Sequence, residues 1–558
     1  MPAQNRNRST ARFNCDISGD RVSNESRYAV SIDATQGRDI SHLIFGGNVE
    51  FMSRQIYGGV WDRERNIPRA DVKAAIGALG TTMLRWPGSS SASTYHWRDG
   101  IGAQPSRPFY ETTFWTAFAD AILEASGVTG SQKTRLLGRI DPSQPNLFGT
   151  DEFLQYCLDL GIEPVLSVNI GGGHPRGEGT PQEVADWVRY CNVDRRSPRS
   201  VRWWQLGNEV WGVHEPGHQV PKAYGQRVIE LATAMRSEDP TVKIVTVAVG
   251  VRSSDFTPKM AAELPDIDRW NRDVFSVAAE HSDSAALNWF FPGAIGRLLR
   301  DNEADALQMT AGSDVFGTAL DRVIADLDCV GGPASRLPIY VAEWGRQVTF
   351  PEGLLSDNHR LYDGVFYAGC FNRILERSRR VRMAGFAHSV NASAPIQTIG
   401  DRHFVTAAYL VTQLYRSTCR REHVPVIVKS ENMLVPALED VEKAFYVCER
   451  ARSDRKAAIL DATATVDESG TTVYLSNRGL RDPITVELSG FALTNQDARF
   501  SYVTADSPFT VNTIDAPNAI RLAETVVVMR DGRGRVTIPP CTAGALVVGG
   551  IAGALACQ

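Results

Sequence analysis

The chain has 558 residues, 43% of them hydrophobic and 22% charged, with a formal net charge of −5. That balance suits a soluble globular protein long enough for about two to four domains. A sequence pI of about 6.1 and the lack of a long basic run exclude nucleic acid as an expected partner.

The first stretch, "MPAQNRNRSTARFNCD", is polar and lacks the apolar core of a secretory signal. The longest apolar run, "GALVVGGIAGALAC", is broken by glycine and falls short of the roughly 20 residues that span a membrane. It reads as a last strand followed by a tail, so no membrane association is expected. The nine cysteines run from Cys15 to Cys557 without a CxxC pair. A disulfide framework or zinc ribbon is therefore not expected, and reduced thiols in a cytoplasm are.

Residues 1–40 hold one strand-like piece, "YAVSIDAT", expected to join a later β domain. From 41 to 394, apolar β-branched runs alternate with helical patterns. The strand candidates are 42–51, 81–88, 163–170, 201–209, 243–250, 274–281, 337–345 and 383–391. Several are apolar nearly throughout, as parallel strands buried on both faces are. "DEFLQYCLDLG" reads as a helix with acids in its first turn and Gly161 as its stop. "TPQEVADWVRYCN" reads as a helix capped by Thr180, with Pro181 in the first turn and Glu183 completing a capping box. Eight strands with helices between them predict an α/β fold, a (β/α)8 TIM barrel. A doubly wound open sheet is the runner-up, but it would bring a phosphate fingerprint that is absent. From 395 to 558 the runs are strand-sized and separated by turn residues, and "VVVMRDGRGRVTIPP" reads as a hairpin. All eleven tryptophans lie at or before Trp344. This part is expected to be an all-β sandwich-like domain.

Barrel chemistry sits at the C-terminal ends of the strands. The ionisable and polar residues placed there are Glu50, Arg85, Asn208, Glu209, His281, Glu343 and His388. Glu209 and Glu343 would end strands four and seven and face each other across one pocket. Two carboxylates in that relation perform glycoside hydrolysis, with retention when close and inversion when a water fits between them. Each alone would more often be a surface glutamate. Trp211 and Trp344 follow the pair closely and are candidates to wall a sugar pocket, against the plainer reading of core packing. "HEPGH" at 214–218 matches H-E-x-x-H literally. That zinc motif needs a helix, which Pro216 and Gly217 oppose. "GGGHPRGEG" at 171–179 reads as a glycine-rich loop after strand three rather than a phosphate loop.

The stretches "IFGGNVEFMSRQIYGGVWD", "LRWPGSS", "FGTDEFLQYC", "ADWVRYCN", "WWQLGNEVWG", "YVAEWG" and "VNASAPI" resemble the α-L-arabinofuranosidases of glycoside hydrolase family 51. The resemblance spans nearly the whole chain. It implies a retaining exo-hydrolase of terminal α-L-arabinofuranosyl residues with no metal and no cofactor, acting on a carbohydrate and commonly a homo-oligomer. It implies Glu209 as acid/base, Glu343 as nucleophile, Asn208 on the sugar 2-hydroxyl, Glu50 on the furanose hydroxyls and Arg85 supporting the nucleophile. The sequence departs from the family's R-Y-P-G-G-N by placing Ser90 where asparagine is usual. Ser282 and Asp283 follow His281 where the family has a tyrosine, and His388 stands for a glutamine. These departures bear on the sugar. D-arabinofuranosides, galactofuranosides or endo-acting xylanase or glucanase activity are the alternatives within the mechanism. A non-catalytic carbohydrate-binding barrel is the alternative outside it.

Overall fold

The computed structural model describes residues 26–33, 36–111, 113–125, 127–138, 140–171, 179–293, 300–347, 358–442, 446–491 and 497–549. Eight parallel strands form its centre. They are β1 (Gly47–Asn48), β2 (Met83–Trp86), β3 (Glu163–Val168), β4 (Trp203–Leu206), β5 (Lys243–Val247), β6 (Ser284–Phe291), β7 (Ile339–Arg346) and β8 (Val381–Phe386). Each pairs with the next in chain order. Gly46 closes the ring, its N–H donating to Ala384 O at 2.8 Å and its carbonyl accepting from Phe386 N at 3.1 Å. The result is a (β/α)8 barrel, with strand ends gathered at one mouth.

The helices around it follow from period and punctuation. Thr150–Leu160 buries Phe153, Leu154, Tyr156 and Cys157 and stops at Gly161, whose φ of 65° is the left-handed cap. Pro181–Val188 starts where Thr180 Oγ1 accepts from Glu183 N. The eighth helix, Ala407–Thr418, follows β8. It is tied to its neighbours by Tyr409 Oη donating to Ala75 O at 3.0 Å and Tyr415 Oη donating to Ala368 O at 3.1 Å. A division of the chain near 394 would cut this helix from the ring it packs into.

One strand differs from the sequence reading. Residues 274–281 are not strand six. Trp270–Ala278 is a helix, with Trp270, Asn271, Val274, Phe275 and Ala278 buried on one face, and Ala279–His281 is a short 3-10 turn. The i, i+4 spacing of Trp270, Val274 and Ala278 is helical, and the apolar run alone hid it. β6 begins three residues after His281. His281, with Ser282 and Asp283, therefore lies at the closed end of the barrel, away from the mouth.

Among the described residues, the β-rich part is built on two large sheets. A four-stranded sheet runs Val426–Lys429, Ala29–Ile32, Ile484–Ser489, Gly534–Ile538. Ala29–Ile32 pairs antiparallel with Val426–Lys429 and parallel with Ile484–Ser489. A seven-stranded sheet includes Leu460–Asp467, Gly470–Asn477, Thr542–Gly549, Ala498–Thr504 and Arg521–Val527. Val30, Val486, Leu475, Phe500 and Leu546 share one core between the sheets. The expected hairpin at 526–540 is instead a crossing. Arg521–Val527 lies in the seven-stranded sheet and Gly534–Ile538 in the four-stranded one, and an isolated bridge between Arg530 and Arg533 turns the chain. Of "GGGHPRGEG", residues 172–178 fall outside the described residues, as does the tail after 549.

Candidate active site

β4 ends in the turn Gly207–Asn208–Glu209. Gly207 takes φ 78°, and a Cβ there would meet Val210 Cγ1 at 2.6 Å. Glu209 itself sits at φ 41°, a left-handed conformation that costs a non-glycine residue about 1–3 kcal/mol. The turn delivers Asn208 and Glu209 into the barrel mouth. β7 delivers Glu343 to the same place, and both carboxylates line one cavity of ≈ 290 Å³, at the small end for ligand pockets.

Alternation along β7 separates the neighbours Glu343 and Trp344. Glu343 faces the cavity. Trp344 is 1% exposed and packs outward against Phe316, Phe371 and Phe386. It is a core residue and not a wall of the pocket, whereas Trp211 does line the cavity.

A run of hydrogen bonds joins the two glutamates. Asn288 Nδ2 donates to Glu209 Oε1 at 3.3 Å and to Asn208 Oδ1 at 3.2 Å. Arg85 Nη2 donates to Asn208 Oδ1 at 3.5 Å and to Glu343 Oε1. Arg85 is fully buried, and Asn48 and Gln205 take its remaining contacts at 3.1 and 3.0 Å. Asn208 Nδ2 is buried without a hydrogen-bond partner among the described residues. It is a donor held ready for a ligand oxygen.

Glu50 lies beside β1 and is fully buried. Ser89 Oγ reaches both of its oxygens at 2.8 Å, and Ser91 Oγ reaches one at 3.2 Å. Gly88, at φ 111°, permits this approach, since a Cβ there would fall 2.1 Å from Glu50 Cβ. His388 Nδ1 is 3.9 Å from Glu50 Oε1 and 3.1 Å from Gln55 Nε2. Burial, helped by the Arg85 charge, holds His388 near pKa 3, so it is neutral.

Burial pushes the Glu50 and Glu343 carboxyls up. Arg85 pulls Glu343 back down, while Glu50 and Glu209 push it up further. Glu343 is the carboxylate among the hydrogen-bond partners of a fully buried guanidinium, which needs a countercharge. Glu50 is met by the Ser89 and Ser91 hydroxyls, the Ser91 backbone N–H and a neutral imidazole, with no guanidinium in contact among the described residues. A proton held by this pair therefore belongs on Glu50, leaving Glu343 ionised.

Ser90 lines the cavity and turns its hydroxyl to Glu215, which also accepts from Ser93 Oγ at 2.9 Å. Burial pushes Glu215 up to about 7. His214 Nε2 stands 3.4 Å from Glu209 Oε2 and 3.8 Å from Glu215 Oε1. These three residues each offer a ligand atom within 4.8 Å of the others. The two-histidine reading of "HEPGH" is not realised: 214–218 forms turns, and His218 Nδ1 faces Val210 O at 3.2 Å.

The structure thus gathers Glu50, Arg85, Ser90, Asn208, Glu209, Glu343 and His388 at one mouth. It leaves out His281 and Trp344. It adds Asn288, Phe290, Ser89, Glu215, Gln347 and, from beyond β8, Tyr446. The run "SAALNWFF" carried a signal for Asn288, a polar residue inside an apolar strand, once strand six is placed correctly.

Residues 75–281 match the family described as "Alpha-L-arabinofuranosidase 1 domain", and residues 342–542 match "Alpha-L-arabinofuranosidase C-terminal domain". The chain is 26% identical over 523 residues to an α-L-arabinofuranosidase C of Emericella nidulans, covering 87% of this chain and 91% of that one. It is 24% identical to an intracellular exo-α-L-arabinofuranosidase of Bacteroides ovatus, covering 93% and 95%. Its fold is similar to that of a thermostable family 51 α-L-arabinofuranosidase from Thermotoga petrophila, with TM-score 0.75 and 23% identity over 93% of this chain and 100% of that one.

Proposed function

The chain belongs to the α-L-arabinofuranosidases of glycoside hydrolase family 51, and on that premise we propose how its own residues release a terminal α-L-arabinofuranosyl group with retention. Glu343 attacks the anomeric carbon and forms a glycosyl-enzyme. Glu209, protonated at the start, gives its proton to the departing oxygen. It then takes a proton from the water that hydrolyses the intermediate. Arg85 keeps Glu343 ionised and aimed. The free Nδ2 of Asn208 donates to the sugar 2-hydroxyl, and Glu50, with His388 behind it, receives other ring hydroxyls.

The observation that carries this reading is the hydrogen-bonded run Glu209–Asn288–Asn208–Arg85–Glu343 along one cavity wall. The test is the anomer first formed from an aryl α-L-arabinofuranoside, followed by NMR. The α-anomer supports the double displacement, and the β-anomer overturns it. A cytoplasmic homo-oligomer is part of the same reading. Among the described residues, no helix is long and apolar enough to cross a membrane.

A second reading keeps this machinery and changes the sugar. The wall at Ser90 favours it, because that hydroxyl is committed to the buried Glu215 and a serine is shorter than the family's usual asparagine. A panel of nitrophenyl glycosides separates the two. Turnover of a D-arabinofuranoside or galactofuranoside above the L-arabinofuranoside would favour the second.

A further inference from the structure

The proposed reaction leaves His214 and Glu215 without a part, yet both stand against the acid/base. The Glu215 side chain has no exposed surface, and Ser90 and Ser93 hold its two oxygens. Asn288 holds Glu209 Oε1 and leaves Oε2 turned to His214. His214 Nε2 faces both carboxylates, at 3.4 and 3.8 Å. One N–H cannot serve two acceptors well, and both separations exceed the 2.7–2.9 Å of a charge-assisted hydrogen bond. Atoms bound 2.0–2.1 Å from one tetrahedral ion lie about 3.3 Å apart, close to the two separations from His214 Nε2, and the two carboxylate oxygens lie within 4.8 Å of each other. One imidazole and two carboxylates form a zinc-type donor set; Asn288 and Ser93 fix the oxygens of Glu209 and Glu215 turned away from His214, and Ser90 donates to the Glu215 oxygen that faces it. Glu209 and His214 line the cavity, so a fourth position is open to water.

We propose that Glu209, His214 and Glu215 bind one divalent cation of zinc type, and that this cation blocks hydrolysis by occupying the oxygen on which the acid proton must sit. A coordinating carboxylate is deprotonated, so a bound ion and a protonated Glu209 exclude each other. The site therefore acts as a reversible brake. Its blocking action rests on the reading of Glu209 as acid/base, while its existence does not.

The test uses the full chain carrying Cys329→Ser, because Cys329 is an exposed thiol that would compete for zinc. Co2+ binding is read from its visible absorption, and Zn2+ inhibition from hydrolysis of an aryl arabinofuranoside. One Co2+ per chain is expected, with inhibition by Zn2+ that a chelator reverses. His214→Gln and Glu215→Gln should each weaken Co2+ binding at least about tenfold, since even outer partners of a metal are worth that much. His214 is partly exposed, so its variant is expected to fold even if the buried Glu215→Gln does not. Absence of binding at millimolar metal, or equal affinity in wild type and His214→Gln, overturns the site. Co2+ binding with undiminished hydrolysis upholds the site and overturns the acid/base reading instead.

Discussion

Buried charge is balanced differently at two places in this molecule. At the barrel mouth, Glu50, Glu215 and Glu343 lie buried, and Arg85 hydrogen-bonds only Glu343 of the three. At the seam between the barrel helices and the β-rich part, Asp314 and Asp461 meet Arg373 and Arg478. Arg478 contacts Asp314 at 2.9 Å and Asp461 at 3.3 Å, and Arg373 contacts Asp461. Burial would raise Asp314, but Arg478 and Arg373 hold it below its ordinary value. At the mouth the carboxyls are instead pushed up. A balanced cluster secures a join. An unbalanced one stores carboxyls that exchange protons easily, which acid–base chemistry requires.

If the mouth is built for chemistry, its carboxylates should cost rate when removed. Glu343→Gln should lower turnover at least about 10⁴-fold, since it removes the proposed nucleophile. Glu209→Gln should lower it about 10²–10⁴-fold with a poor leaving group and much less with an activated aryl one. Steady-state kinetics on both substrate types reads this, and equal losses on the two would remove Glu209 from its role.

The seam should behave in the reverse sense. Arg478→Met leaves buried Asp461 and Asp314 short of a cation and should cost about 3–5 kcal/mol of stability. The kcat of the folded enzyme should hold. A urea titration beside an assay in buffer decides it, and a loss of kcat with intact stability would break the contrast.

The smallest effect concerns His388, held near pKa 3 against an ordinary 6.5. Between those values the unfolded chain binds a proton that the folded chain refuses, so stability is lost as pH falls through 6.5. The loss between pH 7 and pH 5 from this group is about 2 kcal/mol. His388→Gln should flatten the fall in urea midpoint over that interval. An unchanged fall would mean that the imidazole is not buried neutral.

The sequence by itself determined seven of the eight parallel strands, most of the helices and the two carboxylates, Glu209 and Glu343, that meet at the mouth. Those features are written in local period, in caps such as Thr180 and Gly161, and in carboxylates placed where apolar runs end. It could not determine which way a strand residue points. Glu343 and Trp344 are adjacent in the chain, and only pairing with β6 and β8 sends one inward and the other to the helices. It misplaced strand six because a short, mostly apolar run fits a buried helix face as well as a strand, and His281 went to the wrong end of the barrel with it. The same limit hid Glu215. Its meeting with Ser90 and Ser93 spans more than a hundred residues of chain, and only the sheet order, with β2 and β4 on either side of β3, brings them together. The identity of the groups at the mouth was a property of local sequence. The charge each group carries was decided by long-range burial, which no local pattern records.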